Sequence, residues 1–195
     1  LARHFEGVIA TDASAEQIAL ATPASNVEYR VAPAEASGLG DNAVDLVSVA
    51  QALHWFDLDA FYAEVRRVTE PGGVIAAWSY GSCSAGPELE PVLGDFEFGT
   101  LGPYWNSRRR WIDEGYRTIP FSFDEIEAPP MTMRAHWTLP QLGGYLSSWS
   151  SVAKYRDATG RDPVMPLIEQ LAIHWGPPEG TREITWPLAV RIGRI

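Results

Sequence analysis

The chain is poor in cysteine and in basic residues. Cys83 is its one cysteine, and apart from Lys154 its 15 basic residues are all arginine. A single cysteine excludes an internal disulfide framework and a cysteine metal cluster, and it is typical of a reducing compartment. Because 25 acidic residues give a net charge of −10, the chain lacks the basic surface that a nucleic-acid partner requires.

Long hydrophobic runs are also missing. No stretch reaches the ~20 apolar residues of a transmembrane helix, and the opening LARHFEG does not have the pattern of a signal peptide. The 195 residues are nevertheless 46% hydrophobic, which is sufficient for the core of one domain. We therefore expect a cytoplasmic protein with a single domain over residues 1–195 and no membrane partner.

The most informative stretch is VDLVSVAQALHWFD, residues 44–57. Its first half is aliphatic at nearly every position, which predicts a strand buried on both faces of a parallel sheet. Polar Gln51 follows the strand, and His54 comes three residues later. In open α/β sheets, ligands bind outside the carboxyl ends of the strands, so Ala50, Gln51, His54 and Trp55 occupy the expected position of a site.

Two shorter strands are predicted before this one, over Gly7–Thr11 and Val27–Val31. The first ends at Asp12, while Ser14 and Gln17 have the spacing of a capping box, so the next helix does not need Asp12 as its cap. In nucleotide-binding folds, an acidic side chain at this place accepts hydrogen bonds from ribose hydroxyls. A solvated loop carboxylate fits these residues equally well.

The order of predicted elements is βαβαβ, which indicates a doubly wound parallel sheet. Leu58–Val68 has helical spacing, and Glu70–Gly73 is predicted to end that helix before a buried strand at Val74–Trp78. The domain is predicted to comprise a cofactor-binding core at 1–81, an inserted helical cap at 82–130 and a C-terminal part at 131–195.

The C-terminal part is predicted to contain two helices and two antiparallel strands. The helical patterns cover Gln141–Ala158 and Val164–His174. The strand patterns cover Met131–Thr138 and Glu183–Ile192, and Pro187 indicates an edge position or a bulge in the second.

Four segments together resemble a known family. In chain order they are VIATDAS, VAPAEASGL, VDLVSVAQALHWFD and FYAEVRRVTEPGGVIAAWSYG. They are similar to the strand-end motifs of class I S-adenosylmethionine-dependent methyltransferases, above all the small-molecule branch of methyltransferase type 11 and trans-aconitate methyltransferase-like proteins. YLSSWSSVAKY and WPLAVRIGR resemble the same branch. The resemblance implies a Rossmann-like fold, S-adenosylmethionine as cofactor and a small-molecule methyl acceptor.

The resemblance also implies a role for particular residues in cofactor binding. Asp12, followed by Ala13, matches the acidic residue that binds the ribose. Ala34 matches the position whose backbone lies along the adenine, with Glu35 beside it, and Pro33 replaces an aspartate that often reaches the adenine amine. Ala50 and Gln51 match the pair that lines the methionine portion.

His54 and Trp55 match positions on the substrate side. His54 is the candidate catalytic base, because a neutral imidazole is available near pH 7; alternatively it is hydrogen-bonded at the strand end and transfers no proton. Arg108–Arg110 or Arg134 could hold an acidic substrate, and His136 and His174 lack the spacing of metal ligands. The candidate wall of the substrate pocket is aromatic, although each residue is also suited to a core: Trp55, Phe56, Tyr80, Tyr104, Trp105 and Trp149.

The family's first strand and glycine-rich loop should precede the ribose-binding acid by roughly 20 residues, yet only eleven residues precede Asp12. We therefore expect an upstream segment to supply this strand between Gly7–Thr11 and Val44–Val49. Direct pairing of those two strands and a strand from a partner chain are the alternatives. Without the loop, the 195-residue chain alone is expected to be inactive.

Two other functions remain open on the sequence. A nicotinamide-dependent oxidoreductase also places an acid on ribose after its second strand, and a non-enzymatic methyltransferase-like domain would lack the cofactor loop.

Overall fold

The computed structural model describes residues 1–177 and 179–195. These residues form two compact units. The first unit comprises residues 1–78, 119–128 and 190–195, and the second comprises 79–118 and 129–189. The predicted division at residues 81 and 130 stays a prediction.

The elements are as follows, with short 3₁₀ and π segments named where they are needed. The strands are β1 Val8–Asp12, β2 Val27–Val31, β3 Val44–Ala50, β4 Thr69–Tyr80, β5 Asp124–Ile126, β6 Met131–Trp137 and β7 Arg182–Arg194. The helices are α1 Ala15–Ala19, α2 Leu58–Val68, α3 Glu90–Gly94, α4 Arg110–Asp113, α5 Leu139–Ser147, α6 Ser150–Thr159 and α7 Val164–Trp175.

The first unit contains two parallel strand pairs. Strand β1 pairs with β2, in register from Val8 opposite Val27 to Asp12 opposite Val31. Strand β3 pairs with β4, and this ladder ends with Ala50 opposite Trp78. Within residues 1–177 and 179–195, β1 does not pair with β3. Direct pairing of Gly7–Thr11 with Val44–Val49 was therefore the wrong alternative.

The first 48 residues contribute no buried side chain to this unit. Ile9 and Val31 on the β1–β2 pair are 38% and 56% exposed, and Leu20 after α1 is 81% exposed. Strand β3 forms as predicted, but Val49 is its one buried residue. We expected β3 to be buried on both faces, and this expectation was wrong. Among the described residues, β3 pairs with β4 on one edge and has no strand neighbour on the other.

Helix α2 spans the predicted residues, and its buried side chains explain why. Phe61, Tyr62, Val65 and Val68 recur at helical spacing and are all buried, which places one face in the core. The Asp57 side chain caps the helix by accepting a hydrogen bond from the backbone N–H of Ala60 at 3.2 Å. This cap satisfies one of the amide donors that a helix start leaves without an intrahelical partner.

The segment after α2 differs from the expectation. Strand β4 begins at once, at Thr69, rather than after a loop at Glu70–Gly73. The ladder with β3 shifts register between Val44 and Leu46, so the extra residues are accommodated as an irregularity within the strand. Gly72 adopts a left-handed backbone there, with φ of 84°, a conformation that glycine adopts without strain.

Glu64 on α2 fastens the loop after β2 to the helix. Its carboxylate accepts hydrogen bonds from the Ser37 backbone N–H at 2.9 Å and the Ser37 hydroxyl at 2.6 Å, and it pairs with Arg67 at 2.8 Å. The Arg67 hydrogen bonds, assisted by those from Ser37, lower the pKa of Glu64 to about 2. The Glu64 side chain is 10% exposed, whereas that of Arg67 is 39% exposed, so solvent screens part of this interaction.

Glu64→Gln is expected to destabilise the protein at pH 7 by about 1–2 kcal/mol, a value reduced for solvent screening. Because the folded-state pKa is depressed, the stabilisation is present above the ordinary value near 4.5 and is lost as the pH falls towards 2. Urea unfolding at pH 7, 5 and 3 measures this. The difference between the variant and the wild type should shrink as the pH falls; a constant difference would assign the effect to packing.

The second unit contains the antiparallel ladder that was predicted. Strand β6 pairs with β7 from Met131 opposite Leu188 to Trp137 opposite Arg182, with Thr132 opposite Pro187. The register is continuous through Pro187, so this ladder has no bulge there. The predicted helix at Gln141–Ala158 is two helices, α5 and α6, separated at Ser148 and Trp149.

The strand order β3-β4-β7-β5, with β6 also paired to β7, makes a mixed sheet. Strand β5 is antiparallel to the end of β7, and β3 is parallel to β4. The α/β fold class with an antiparallel C-terminal strand is therefore confirmed.

Candidate functional site

Asp12 stands at the carboxyl end of β1 and shapes the turn that follows. Its Oδ1 accepts a hydrogen bond from the Ser14 backbone N–H at 2.7 Å, and the Ser14 hydroxyl accepts one from the Gln17 N–H at 3.3 Å. Only half of the predicted capping box is therefore formed. The Ser14 side chain accepts from the Gln17 N–H, but the Ser14 N–H donates to Asp12 and not to the Gln17 side chain. The cap of α1 is Ser14, as predicted, but Asp12 was expected to be left free and instead accepts the Ser14 N–H.

The other carboxylate oxygen of Asp12 accepts no hydrogen bond from residues 1–177 or 179–195. The Asp12 side chain is exposed, as is Ala13 beside it. The backbone oxygen of Asp12 accepts a hydrogen bond from the Ala32 N–H at 3.0 Å, so the ends of β1 and β2 are joined. The second carboxylate oxygen of Asp12 is therefore exposed where β1 and β2 end.

The loop after β2 reaches the segment that follows β3. Ala34 and Glu35 are partly buried, and Glu35 Oε1 accepts a hydrogen bond from the Asp57 backbone N–H at 2.9 Å. The structure thereby brings together two predicted site segments that are 22 residues apart in sequence.

Gln51 has a left-handed backbone, with φ of 52°, directly after β3. Its N–H donates to the Trp78 carbonyl at 2.9 Å, which continues the β3–β4 ladder by one residue beyond the exposed Ala50. A side chain larger than glycine in this conformation costs of order 1–3 kcal/mol and occurs preferentially at functional sites.

His54 and Trp55 lie together in a 3₁₀ turn, Leu53–Trp55. His54 is 3% exposed and Trp55 is 50% exposed, and their ring centroids are 4.9 Å apart. The structure places the imidazole inside the first unit and leaves half of the neighbouring indole in solvent.

The other predicted substrate residues, Tyr80, Tyr104, Trp105 and Trp149, belong to the second unit, and all four are partly buried. The rings of Trp105 and Trp149 have centroids 5.4 Å apart, and both residues pack against the same apolar core as Tyr80. Tyr104 contacts Tyr155 at 5.1 Å. Within this unit the structure brings Trp105 and Trp149 together, whereas Trp55 and the cofactor candidates lie in the first unit.

Two of the arginines considered as carboxylate anchors, Arg109 and Arg134, pair with acidic side chains of the chain itself. Arg109 pairs with Glu97 and with Asp113, and Arg134 pairs with Glu183 at 2.8 Å. Neither guanidinium is therefore available without breaking an ion pair. The buried Glu97 was missed in the sequence, although a carboxylate between two phenylalanines in DFEFGT is a signal that could have found it.

Two other polar side chains of the second unit, buried Cys83 and partly buried Tyr145, are inert near neutral pH. Burial, together with the nearby Glu97 charge, raises the pKa of the Cys83 thiol to about 12. Burial also raises the pKa of the Tyr145 hydroxyl to about 12. Both groups stay protonated, so neither is an activated nucleophile.

Residues 1–177 and 179–195 contain neither a candidate metal site nor a candidate membrane span. No cluster of three or more histidine, cysteine or acidic side chains there could hold a metal ion. None of the helices in these ranges combines the length and apolar character that a membrane span requires.

The mixed sheet, in which the parallel strands β3 and β4 are joined by helix α2, places the chain in the class of Rossmann-like α/β domains. Residues 1–77 match the family model described as a methyltransferase domain. A solved structure, described as a type II methyltransferase of Anaeromyxobacter dehalogenans, is 44% identical with a TM-score of 0.91, covering all of this chain and 83% of that one. The chain belongs to this S-adenosylmethionine-dependent methyltransferase family, methyltransferase type 11.

Curated relatives agree with this membership. A methyltransferase-named protein of Dictyostelium discoideum is 35% identical over 173 residues, which are 87% of this chain and 65% of the relative. A protein of Saccharomyces cerevisiae named as a probable S-adenosylmethionine-dependent methyltransferase is 28% identical over 88% of this chain and 70% of its own length. The chain thus spans about two thirds of the length of these relatives.

Proposed function

We propose that the protein transfers a methyl group from S-adenosylmethionine to a small-molecule acceptor. The observation that carries the proposal is the similarity over the whole chain to a protein described as a methyltransferase. The exposed Asp12 carboxylate at the end of β1 supports it, because an acid at that place suits a ribose.

The residues of the first unit fit this cofactor. Asp12 would accept hydrogen bonds from the ribose hydroxyls, Ala34 would lie along the adenine with Glu35 beside it, and Ala50 with Gln51 would line the methionine portion. The cofactor, when bound, supplies a methyl group already activated on sulfonium. What remains for the chain is to orient the acceptor and exclude water.

His54 is the residue proposed to act on the acceptor. Its burial at the turn after β3 would exclude water from the imidazole. A neutral imidazole could take a proton from an acceptor hydroxyl or amine as the methyl group arrives.

The proposal is tested on the full-length protein by calorimetric titration with S-adenosylhomocysteine and, separately, with NADH. We expect binding of the former alone. Formation of S-adenosylhomocysteine is then followed with a panel of small acids, phenols and amines. Binding of NADH alone would support the oxidoreductase alternative, and binding of neither would support a non-enzymatic domain.

His54→Ala is expected to lower turnover by about a hundredfold, the typical contribution of a general base, with S-adenosylhomocysteine affinity unchanged within about threefold. His54→Gln provides the control for lost volume. Loss of cofactor binding in the alanine variant, together with a lowered melting temperature, would make the residue structural.

A further inference from the structure

Helix α2 has a capping box whose second half comes from another segment of the first unit. In a capping box, the N-cap side chain accepts from the N–H of the third helical residue, and the side chain of that residue accepts from the N-cap N–H. Asp57 provides the first half by accepting from the Ala60 N–H at 3.2 Å. Ala60 has no polar side chain to provide the second half. Glu35, 22 residues away in sequence, provides it by accepting from the Asp57 N–H at 2.9 Å.

This hydrogen bond joins two predicted site segments at one point. Glu35 directly follows Ala34 in the loop after β2. Asp57 follows the 3₁₀ turn Leu53–Trp55 after a single residue, Phe56. A charge-assisted hydrogen bond therefore sets the distance between the loop that would hold the adenine and the turn that carries the candidate base.

The turn is anchored on both sides of His54. At its start, the Leu53 side chain is fully buried, and the Leu53 carbonyl accepts from the Phe56 N–H at 3.3 Å. Just beyond its end, Glu35 holds the Asp57 N–H. Loss of this second anchor would let the end of the turn move. Misplacing a reacting group by about 1 Å can lower a rate on the order of a hundredfold.

The same loop has another contact with α2, which provides a matched control. The Ser37 backbone N–H and hydroxyl donate to Glu64 at 2.9 Å and 2.6 Å. Glu64 lies about two helical turns beyond Asp57. This contact therefore fastens the loop to the helix at a distance from the turn Leu53–Trp55.

We propose that Glu35 is a positioning residue, which holds the turn carrying His54 and Trp55 against the loop that carries Ala34. This rests on the proposed function, in which Ala34 lies along the adenine and His54 acts on the acceptor. Glu35 acts through the Asp57 N–H and does not itself touch the acceptor. The competing explanation is a hydrogen bond that only caps α2.

The first measurement follows the turn without turnover. The full-length protein is labelled with 5-fluorotryptophan, and the fluorine resonance of Trp55 is identified by its absence in Trp55→Phe. Glu35→Ala is expected to shift or broaden this resonance. Glu35→Gln should leave it in place, because the amide oxygen can still accept from the Asp57 N–H. Glu64→Gln is the control and should also leave it in place. An unchanged Trp55 resonance in Glu35→Ala would overturn the proposal.

Activity gives a second, independent measurement. With an acceptor that turns over in the panel, Glu35→Ala is expected to lower kcat about tenfold, while the affinity for S-adenosylhomocysteine stays within about threefold. Glu35→Gln and Glu64→Gln should both keep kcat within about threefold of wild type. A lowered melting temperature with unchanged kcat would make Glu35 only a helix cap, and a lost affinity with unchanged kcat would make it a cofactor contact; either result overturns the proposal. Failure of the wild type to bind S-adenosylhomocysteine would instead contradict the proposed function.

Discussion

Asp12→Ala is expected to weaken S-adenosylhomocysteine binding ten- to a hundredfold, measured by isothermal titration on the full-length protein. The reason is the loss of charge-assisted hydrogen bonds to ribose hydroxyls, worth about 1.5–3 kcal/mol together. The exposed carboxylate has one oxygen on the Ser14 N–H, and the other is the one that would accept from the ribose.

The contact with Ser14 requires two control variants. Asp12→Asn retains an oxygen that can accept from the Ser14 N–H but removes the charge, so it should lose most of the affinity while keeping the turn. Ser14→Ala removes the hydroxyl cap of α1 and leaves Asp12 in place, so its affinity should stay within about threefold of wild type. If Ser14→Ala weakened binding as much as Asp12→Ala, Asp12 would act through the turn and not on the cofactor.

Glu97→Gln is expected to lower the free energy of unfolding by about 3 kcal/mol, the largest effect on stability predicted for this chain. Removing one partner of a buried ion pair leaves a desolvated charge, which typically costs about 3–5 kcal/mol. We place the value at the lower end because Asp113 still contacts Arg109. Urea unfolding at pH 7 followed by circular dichroism measures it.

The matched control is Glu183→Gln in the same unit. Its ion pair with Arg134 is exposed on both sides, at 44% and 58%, so its loss should cost less than about 1 kcal/mol. Equal losses in the two variants would mean that burial does not strengthen the Glu97 pair.

The elements that could be predicted are those with a clear hydrophobic period. Helix α2 matches its predicted residues because Phe61, Val65 and Val68 recur on one buried face. The β6–β7 ladder was visible as two strand patterns separated by helices. The split between α5 and α6 could not be predicted. The helical spacing of apolar residues continues across Ser148 and Trp149, and neither of these two residues is a proline or a glycine.

The candidate site divides in the same way. Positions at strand ends, such as Asp12 and Gln51, follow from the order of strands and loops. The left-handed backbone of Gln51 and the pairing of Glu97 with Arg109 depend on tertiary packing. No local sequence rule couples residues twelve positions apart across a π-helix and two 3₁₀ turns.

The absence of buried side chains before residue 49 has a consequence for local stability. In the 195-residue chain on its own, a strand pair that buries so little opens with a small fraction of the global unfolding free energy, so the amides of β1 and β2 should exchange with solvent long before those of β4. Asp12 lies in this readily opened segment. A ligand that contacts Asp12 would therefore also favour the closed conformation of this segment. The free energy of closing the segment would lower the observed affinity, and binding would slow amide exchange around residues 8–12 and 27–31.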